Sequence, residues 1–176
     1  MEGGLYMHIL RSIKRRLVMV LVNGPLAGTR PYTFELKRRL LNAIGYEIGI
    51  GTKIVGPIEC NANLTIGCDC WIGKNIKFNG NGRVVIGDRC DIAPEVTFQT
   101  GSHQIGSARR RAGEGISYTQ TVGNGVWIGI RATILGNTTI SDGSVIAACA
   151  CVIKDTPANM LVGGVPARTI RRMDNI

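Results

Sequence analysis

Aliphatic residues recur along this chain at a step of six. Counting from Val122, the positions Val122, Ile128, Ile134, Ile140, Ile146 and Val152 are all aliphatic and β-branched. The residue after each is mostly small: Gly123, Gly129, Ser141 and Ala147, against Leu135 and Ile153. Four residues after each stands Val126, Ala132, Thr138, Ser144, Ala150 or Thr156, again small or β-branched. The first half keeps the same step through Ile66 and Ile72, then Ile86, Ile92 and Phe98, with Ile48 and Ile54 opening the series. A persistent six-residue phase fits neither the 3.6-residue period of an α-helix nor the two-residue alternation of a meander. It describes one short strand plus one tight turn, three of which bring the chain back to its starting direction. The predicted fold is all-β: a left-handed parallel β-helix of hexapeptide repeats over residues 48–157. A short helical segment, residues 1–47, precedes it and a tail, residues 158–176, follows.

Composition supports thin, regular layers. Hydrophobic residues make up 44% of the chain but aromatics only 5%, and there are 24 glycines. In the segment before the repeats, residues 5–22 and 34–43 read as helices, separated by Asn23-Gly24-Pro25 and Gly28 to Pro31. Two basic helices of this kind cap the open end of a solenoid, whose last layer exposes apolar side chains and unpaired strand edges. The rival is an interfacial membrane helix, because Lys14, Arg15 and Arg16 precede an apolar run. That run, Leu17 to Val22, is too short to span a bilayer and is followed by no cleavage site of the signal-peptide kind, so the expected location is cytoplasmic. The six cysteines show C-x-C pairs at Cys68–Cys70 and Cys149–Cys151 and no zinc spacing; they read as small reduced packing residues. The formal net charge of +9 admits nucleic acid, an anionic membrane or a phosphorylated small molecule as partner.

The repeat is interrupted twice. Ile72 and Ile86 are fourteen apart, two more than two steps, and Asn79-Gly80-Asn81-Gly82 supplies turn residues for a small bulge. A longer break follows His103: the pattern resumes only at Val122, so residues 104–121 form an excursion carrying Arg109-Arg110-Arg111. A long loop thrown from a regular scaffold is a place to look for function. His103 stands at its root, where a neutral imidazole could take a proton from a hydroxyl near neutral pH; an ordinary polar histidine is the alternative. The only other histidine, His8, is assigned no role. Two histidines cannot supply the three-histidine metal site of a β-helical carbonic anhydrase, and no catalytic metal is expected. At the other end Lys154, Arg168, Arg171 and Arg172 flank the turn Gly163-Gly164-Val165-Pro166-Ala167. They form either a phosphate site or a solubilising tail.

Trp127-Ile-Gly, the hexads Ile134 to Val152, Lys154-Asp155 and Gly164-Val-Pro-Ala-Arg168-Thr-Ile-Arg171 together resemble the hexapeptide-repeat acyltransferases. The resemblance covers residues 48–172. It is nearest to the branch of galactoside, maltose and bacterial polysaccharide O-acetyltransferases. It implies acetyl-CoA as co-substrate, a hydroxyl of a sugar or polysaccharide precursor as acceptor, and a homotrimer with active sites between subunits. In that scheme the C-terminal tail completes the CoA site. His103 matches the general base. Trp127 matches an aromatic beside the cofactor arm, and Ala148 a position whose backbone contacts the pantetheine chain. Lys154, Arg168 and Arg171 match residues near the nucleotide and its phosphates. Asn79 matches an acceptor-binding asparagine across a gap, and Arg109 and Arg110 would reach toward the acceptor. The chain departs from its relatives at Ile130, where Ser or Ala is usual, and at Ala147-Ala148-Cys149-Ala150, where Gly-Ala-Gly-Ser is usual. A serine acetyltransferase would ordinarily carry a larger helical segment than 47 residues. An aminosugar N-acetyltransferase and a non-catalytic scaffold stay open as alternatives; nucleic-acid binding and stable membrane contact are not favoured.

Overall fold

The computed structural model describes residues 2–173; Met1, residues 174–176 of the expected tail and the His8 side chain lie outside the described residues. From Glu47 onward the six-residue step becomes hydrogen-bonded register. Along one parallel sheet Ile48 pairs with Ile66, Ile66 with Ile86, Ile86 with Val122 and Val122 with Ile140. A second sheet aligns Ile54, Ile72, Ile92, Ile128, Ile146 and Val162. A third aligns Cys60, Phe78, Phe98, Ile134 and Val152. These rows are buried and form the core, with Phe78 stacked on Phe98 at a ring separation of 5.3 Å. The second sheet ends in an antiparallel pair, Met160–Gly164 with Ala167–Arg172, which covers the far end of the solenoid. Both interruptions appear in the register: Ile66 to Ile86 is two residues longer than a coil, and Ile86 to Val122 holds a coil plus the excursion.

The glycines directly after the inward residues are not where the backbone turns left-handed. Left-handed backbone falls two residues later, on Gly51, Gly125 and Gly143 and also on Asp69, Asn75, Arg89, Glu95, Arg131 and Cys149. The glycines directly after the inward residues are needed for close approach instead. A Cβ on Gly87 would lie 2.9 Å from the Gly123 carbonyl, and one on Gly129 would lie 2.6 Å from the Ala148 nitrogen. The corners between coils are laced by side chains as well as backbone. Asp88 Oδ1 accepts from the Cys68 N–H at 2.7 Å, Asn124 Oδ1 from Asp88 at 2.8 Å and Asp142 Oδ1 from Asn124 at 2.8 Å. Cys70 and Cys90 stack inside: the Cys90 N–H meets Cys70 Sγ at 3.3 Å, and the Cys90 thiol donates to the Gly123 carbonyl at 3.0 Å. All six thiols are free.

Helix α1 (Glu2–Asn23) starts ahead of the expected residue 5, and helix α2 (Pro31–Asn42) starts at Pro31, whose fixed φ suits a first helical position. Together they cap the first coil. Val18, Val22 and Leu41 join the core above Ile48, Ile54 and Ile58. The three exposed strand edges are each satisfied by groups from this segment, as buried backbone requires. Asn42 bonds both the N–H and the carbonyl of Ile48, and Asn23 does the same at Ile58. On the middle edge the Val55 carbonyl accepts from the Gly28 N–H at 2.9 Å and from Lys37 Nζ at 3.1 Å.

Lys37 is fully buried, bonded to the Gly28 and Val55 carbonyls and seated over the Phe34 ring. Burial, aided by the nearby Arg30 charge, pulls its ammonium down from 10.5 to about 8. The folded state therefore releases this proton before the unfolded state does, so folding gains stability as pH rises from about 8 to 10.5. Urea unfolding at both pH values, compared with Lys37→Met, should show the wild type gaining up to about 3 kcal/mol on the variant across that window. A difference that stays constant with pH would refute this.

Candidate active site

The two interruptions of the repeat lie against each other. The excursion is an antiparallel hairpin, Gly101–Ile105 with Ala112–Ser117, and the chain is back in the solenoid at Thr119–Val122. It therefore starts earlier than residue 104 and ends before residue 121, because Thr119 and Gln120 already pair with Arg83 and Val84. Thr100 forms its neck. The Thr100 N–H and hydroxyl both reach the Asn79 carbonyl, at 2.8 and 2.7 Å. The Thr100 carbonyl accepts from Tyr118 at 2.7 Å, and its hydroxyl oxygen accepts from the Gly82 N–H at 3.1 Å. The bulge must be glycine-rich here: Gly80 holds φ +93°, and a Cβ on it would strike the Gly101 nitrogen.

His103 sits on the outgoing strand opposite Gly115. Its Nδ1 lies 2.9 Å from the Gly113 carbonyl. A carbonyl can only accept, so Nδ1 carries the hydrogen, and in the neutral imidazole Nε2 holds the lone pair. The imidazole opens on a cavity of about 470 Å³ shared with Gly80, Asn81, Gln99, Ser102 and Ser117. Asn79 contributes its backbone to the neck, and its side-chain Oδ1 is buried without a hydrogen-bond partner. Arg109 and Arg110 do not line this cavity; they are exposed at the hairpin tip. Among the described residues no carboxylate pairs with them.

The positions expected to meet a cofactor fall elsewhere on the chain. Trp127 is 57% exposed on the outer surface of the second sheet, beside Asp91. It shares a groove of about 440 Å³ with Trp71, Ala93 and Pro94. Ala148 lies exposed at the corner beyond that sheet, one residue before the left-handed, exposed Cys149. Ile130 faces solvent in part, and its carbonyl accepts from the Cys149 N–H at 2.9 Å. Lys154 and Arg168 come together around a separate cavity of about 240 Å³ floored by Val152, Thr156 and Val162. Arg171 is on the same terminal strand as Arg168 but outside that cavity. Among the described residues, the lining of the His103 cavity includes none of these positions.

Gln120 was missed by the sequence reading. It is fully buried inside the solenoid, one register step from Val84, where an apolar residue is the norm. Its amide nitrogen donates to the carbonyls of Gln99, Ile134 and Gly136 at 3.1, 3.0 and 3.2 Å. The first of these is at the root of the hairpin, so Gln120 ties the excursion to the core. The available signal was a long amide two residues before Val122, where the preceding coils carry Leu64 and Val84.

Comparison with known proteins places this architecture. The galactoside O-acetyltransferase of Escherichia coli (strain K12) is 33% identical over 149 residues, covering 84% of this chain and 73% of that protein. A solved maltose O-acetyltransferase from Clostridium difficile 630 superposes with a TM-score of 0.78 at 26% identity, over 94% of this chain and 87% of that one. A hexapeptide-repeat-containing acetyltransferase from Vibrio cholerae O1 biovar eltor, solved with acetyl coenzyme A, gives 0.79 at 28% identity over 97% and 90%. No family model matches the chain. The chain belongs to the galactoside O-acetyltransferase family of left-handed β-helix, hexapeptide-repeat acetyltransferases.

Proposed function

We propose that this protein is an acetyl-CoA-dependent O-acetyltransferase acting on a hydroxyl of a sugar or polysaccharide precursor. The observation that carries the reading is the Nδ1 contact of His103 with the Gly113 carbonyl, which leaves Nε2 free at a polar cavity. Bound acetyl-CoA supplies an activated acetyl thioester. The residues present fit it: Lys154 and Arg168 bring two cations to one small cavity, as phosphates require, Ala148 offers a corner without bulk, and Trp127 an exposed ring. Arg171 adds a third cation on the same strand as Arg168. His103 Nε2 would take the proton of the acceptor hydroxyl as its oxygen bonds to the acetyl carbonyl carbon; the thioester C–S bond breaks, and the departing CoA sulfur receives that proton from the imidazolium, which the Gly113 carbonyl holds. Asn79 does not line the His103 cavity and its Oδ1 is buried without a donor, so no acceptor contact is assigned to its side chain. The unpaired Arg109 and Arg110 at the hairpin tip suit an anionic or glycosylated acceptor, or a neighbouring subunit.

The separation of His103 from Trp127, Ala148, Lys154 and Arg168 on one chain supports a homotrimer whose sites form between subunits. The hairpin of one protomer then meets the outer face and terminal strands of the next. The reading places the enzyme in the cytoplasm, where acetyl-CoA is made, and in polysaccharide biosynthesis.

His103→Ala should lower kcat/KM for a productive sugar by roughly 100-fold to 10,000-fold, followed as CoA thiol release across an acceptor panel. Unchanged turnover would remove the general-base assignment and favour a scaffold. Lys154→Ala with Arg168→Ala should raise KM for acetyl-CoA by more than roughly tenfold while kcat holds, since charge-assisted phosphate bonds act on binding. Equal KM values would place the nucleotide elsewhere. Co-refolding the His103→Ala chain with the Lys154→Ala/Arg168→Ala chain should restore part of the activity, because mixed trimers contain sites with both wild-type halves. Mixtures as inactive as their parents would mean that one chain holds the whole site.

A further inference from the structure

The first helix has two apolar faces, and the solenoid uses only one. Arg15, Val18, Met19 and Val22 face the body: Val18 and Val22 are buried in the core, and Arg15 bonds the Tyr46 hydroxyl at 2.7 Å and the Cys60 carbonyl at 3.0 Å. On the opposite side Leu10, Ile13, Leu17 and Val20 recur at helical spacing and are 43%, 51%, 60% and 61% exposed, with Leu21 beside them. All residues from 10 to 17 are exposed, so the helix carries this stripe well beyond the capped coil. Unlike scattered exposed apolar residues, the stripe is continuous over about three turns.

Its borders are cationic. At 100° per residue, Arg16 falls on one edge of the stripe and Lys14 on the other, with Arg11 beyond Lys14. No acidic residue occurs between Glu2 and Glu35, and Glu35 is already held by Arg38 and Arg39, both at 2.7 Å. The stripe is thus an apolar band edged by cations without counter-ions on its own helix. Pairing it with the same stripe of a second copy would set Lys14 and Arg16 against like charges. An anionic bilayer takes both features at once: the aliphatic band sinks to the acyl boundary while the cations reach the headgroup phosphates. No described helix is long and apolar enough to cross a membrane, so the arrangement is one of lying on the surface.

We propose that the outward face of helix α1 is a docking surface for an anionic phospholipid bilayer, using Leu10, Ile13, Leu17 and Val20 with Lys14 and Arg16 as its charged rim. The same helix thus caps the first coil with one face and meets the bilayer with the other. The proposal is independent of the acetyl-transfer reading.

Flotation of the full chain with vesicles of phosphatidylglycerol and phosphatidylcholine in equal parts, against phosphatidylcholine alone, tests it. Binding is expected to the anionic vesicles only. Leu17→Asp with Val20→Asp should reduce it by roughly tenfold or more, and Lys14→Ser with Arg16→Ser by roughly fivefold for each cation removed. Both pairs are exposed, so thermal melting should be unchanged and losses of binding are not losses of fold. The proposal is overturned if the wild type does not float with anionic vesicles at low salt. It is equally overturned if Leu17→Asp/Val20→Asp binds as well as wild type, which would mean adhesion through other basic residues. A sedimentation mass that falls in Leu17→Asp/Val20→Asp would also overturn it, because the stripe would then hold a second copy of this chain.

Discussion

Every feature of this protein depends on the distance between neighbouring coils, about 4.8 Å, the spacing of hydrogen-bonded strands. At that distance an inward Ile sits directly on the Ile of the next coil, and the three buried rows form one continuous core. At Gly67, Gly87, Gly123 and Gly129, each following an inward residue, the same distance leaves no room for a Cβ. It also brings the Asp88, Asn124 and Asp142 carboxylate or amide oxygens within reach of the amides of the coil beside them. Repetition makes each coil stable only through its neighbours, so the ends need separate treatment.

The ends are handled differently. At the first coil, polar side chains on or beside two helices take the three open strand edges, and Lys37 accepts a depressed ammonium pKa in return for reaching the Val55 carbonyl. At the last coil, an antiparallel pair extends the second sheet and brings Arg168 beside Lys154. The basic residues are therefore not one diffuse field. Lys37 serves an interior cap, Lys154 and Arg168 a terminal cavity, Arg109 and Arg110 a hairpin tip, and Lys14 and Arg16 the rim of an exposed stripe.

The proposed chemistry sits where the stacking is broken. A two-residue bulge in one coil and a hairpin in the next meet at Thr100, and the cavity with His103 opens between them. A perfectly regular solenoid would present only flat faces. The hairpin must still be held at a fixed angle for its imidazole to be useful. Thr100, Tyr118 and the buried Gln120 do this, trading apolar packing inside the coil for three hydrogen bonds to backbone carbonyls.

The six-residue phase alone determined the solenoid, its three rows, the bulge and the excursion, because a strict period fixes which residues must stack. His103, Lys154 and Arg168 were legible as residues beside the breaks and the tail, and their grouping with a known family rested on motifs at Trp127 and Gly164 to Arg171. The exact hairpin limits were not legible, since Thr119 and Gln120 pair with a coil thirty-six residues earlier and lack the aliphatic signature of the repeat. Nor could the sequence show that the left-handed positions lie two residues past the small residues that follow each inward one, or that Gln120 points inward. Only the tertiary structure decided which face of helix α1 is spent on the core and which is left outward. That choice depends on the shape of the coil beneath it, to which a helical periodicity, apolar on both sides, is blind.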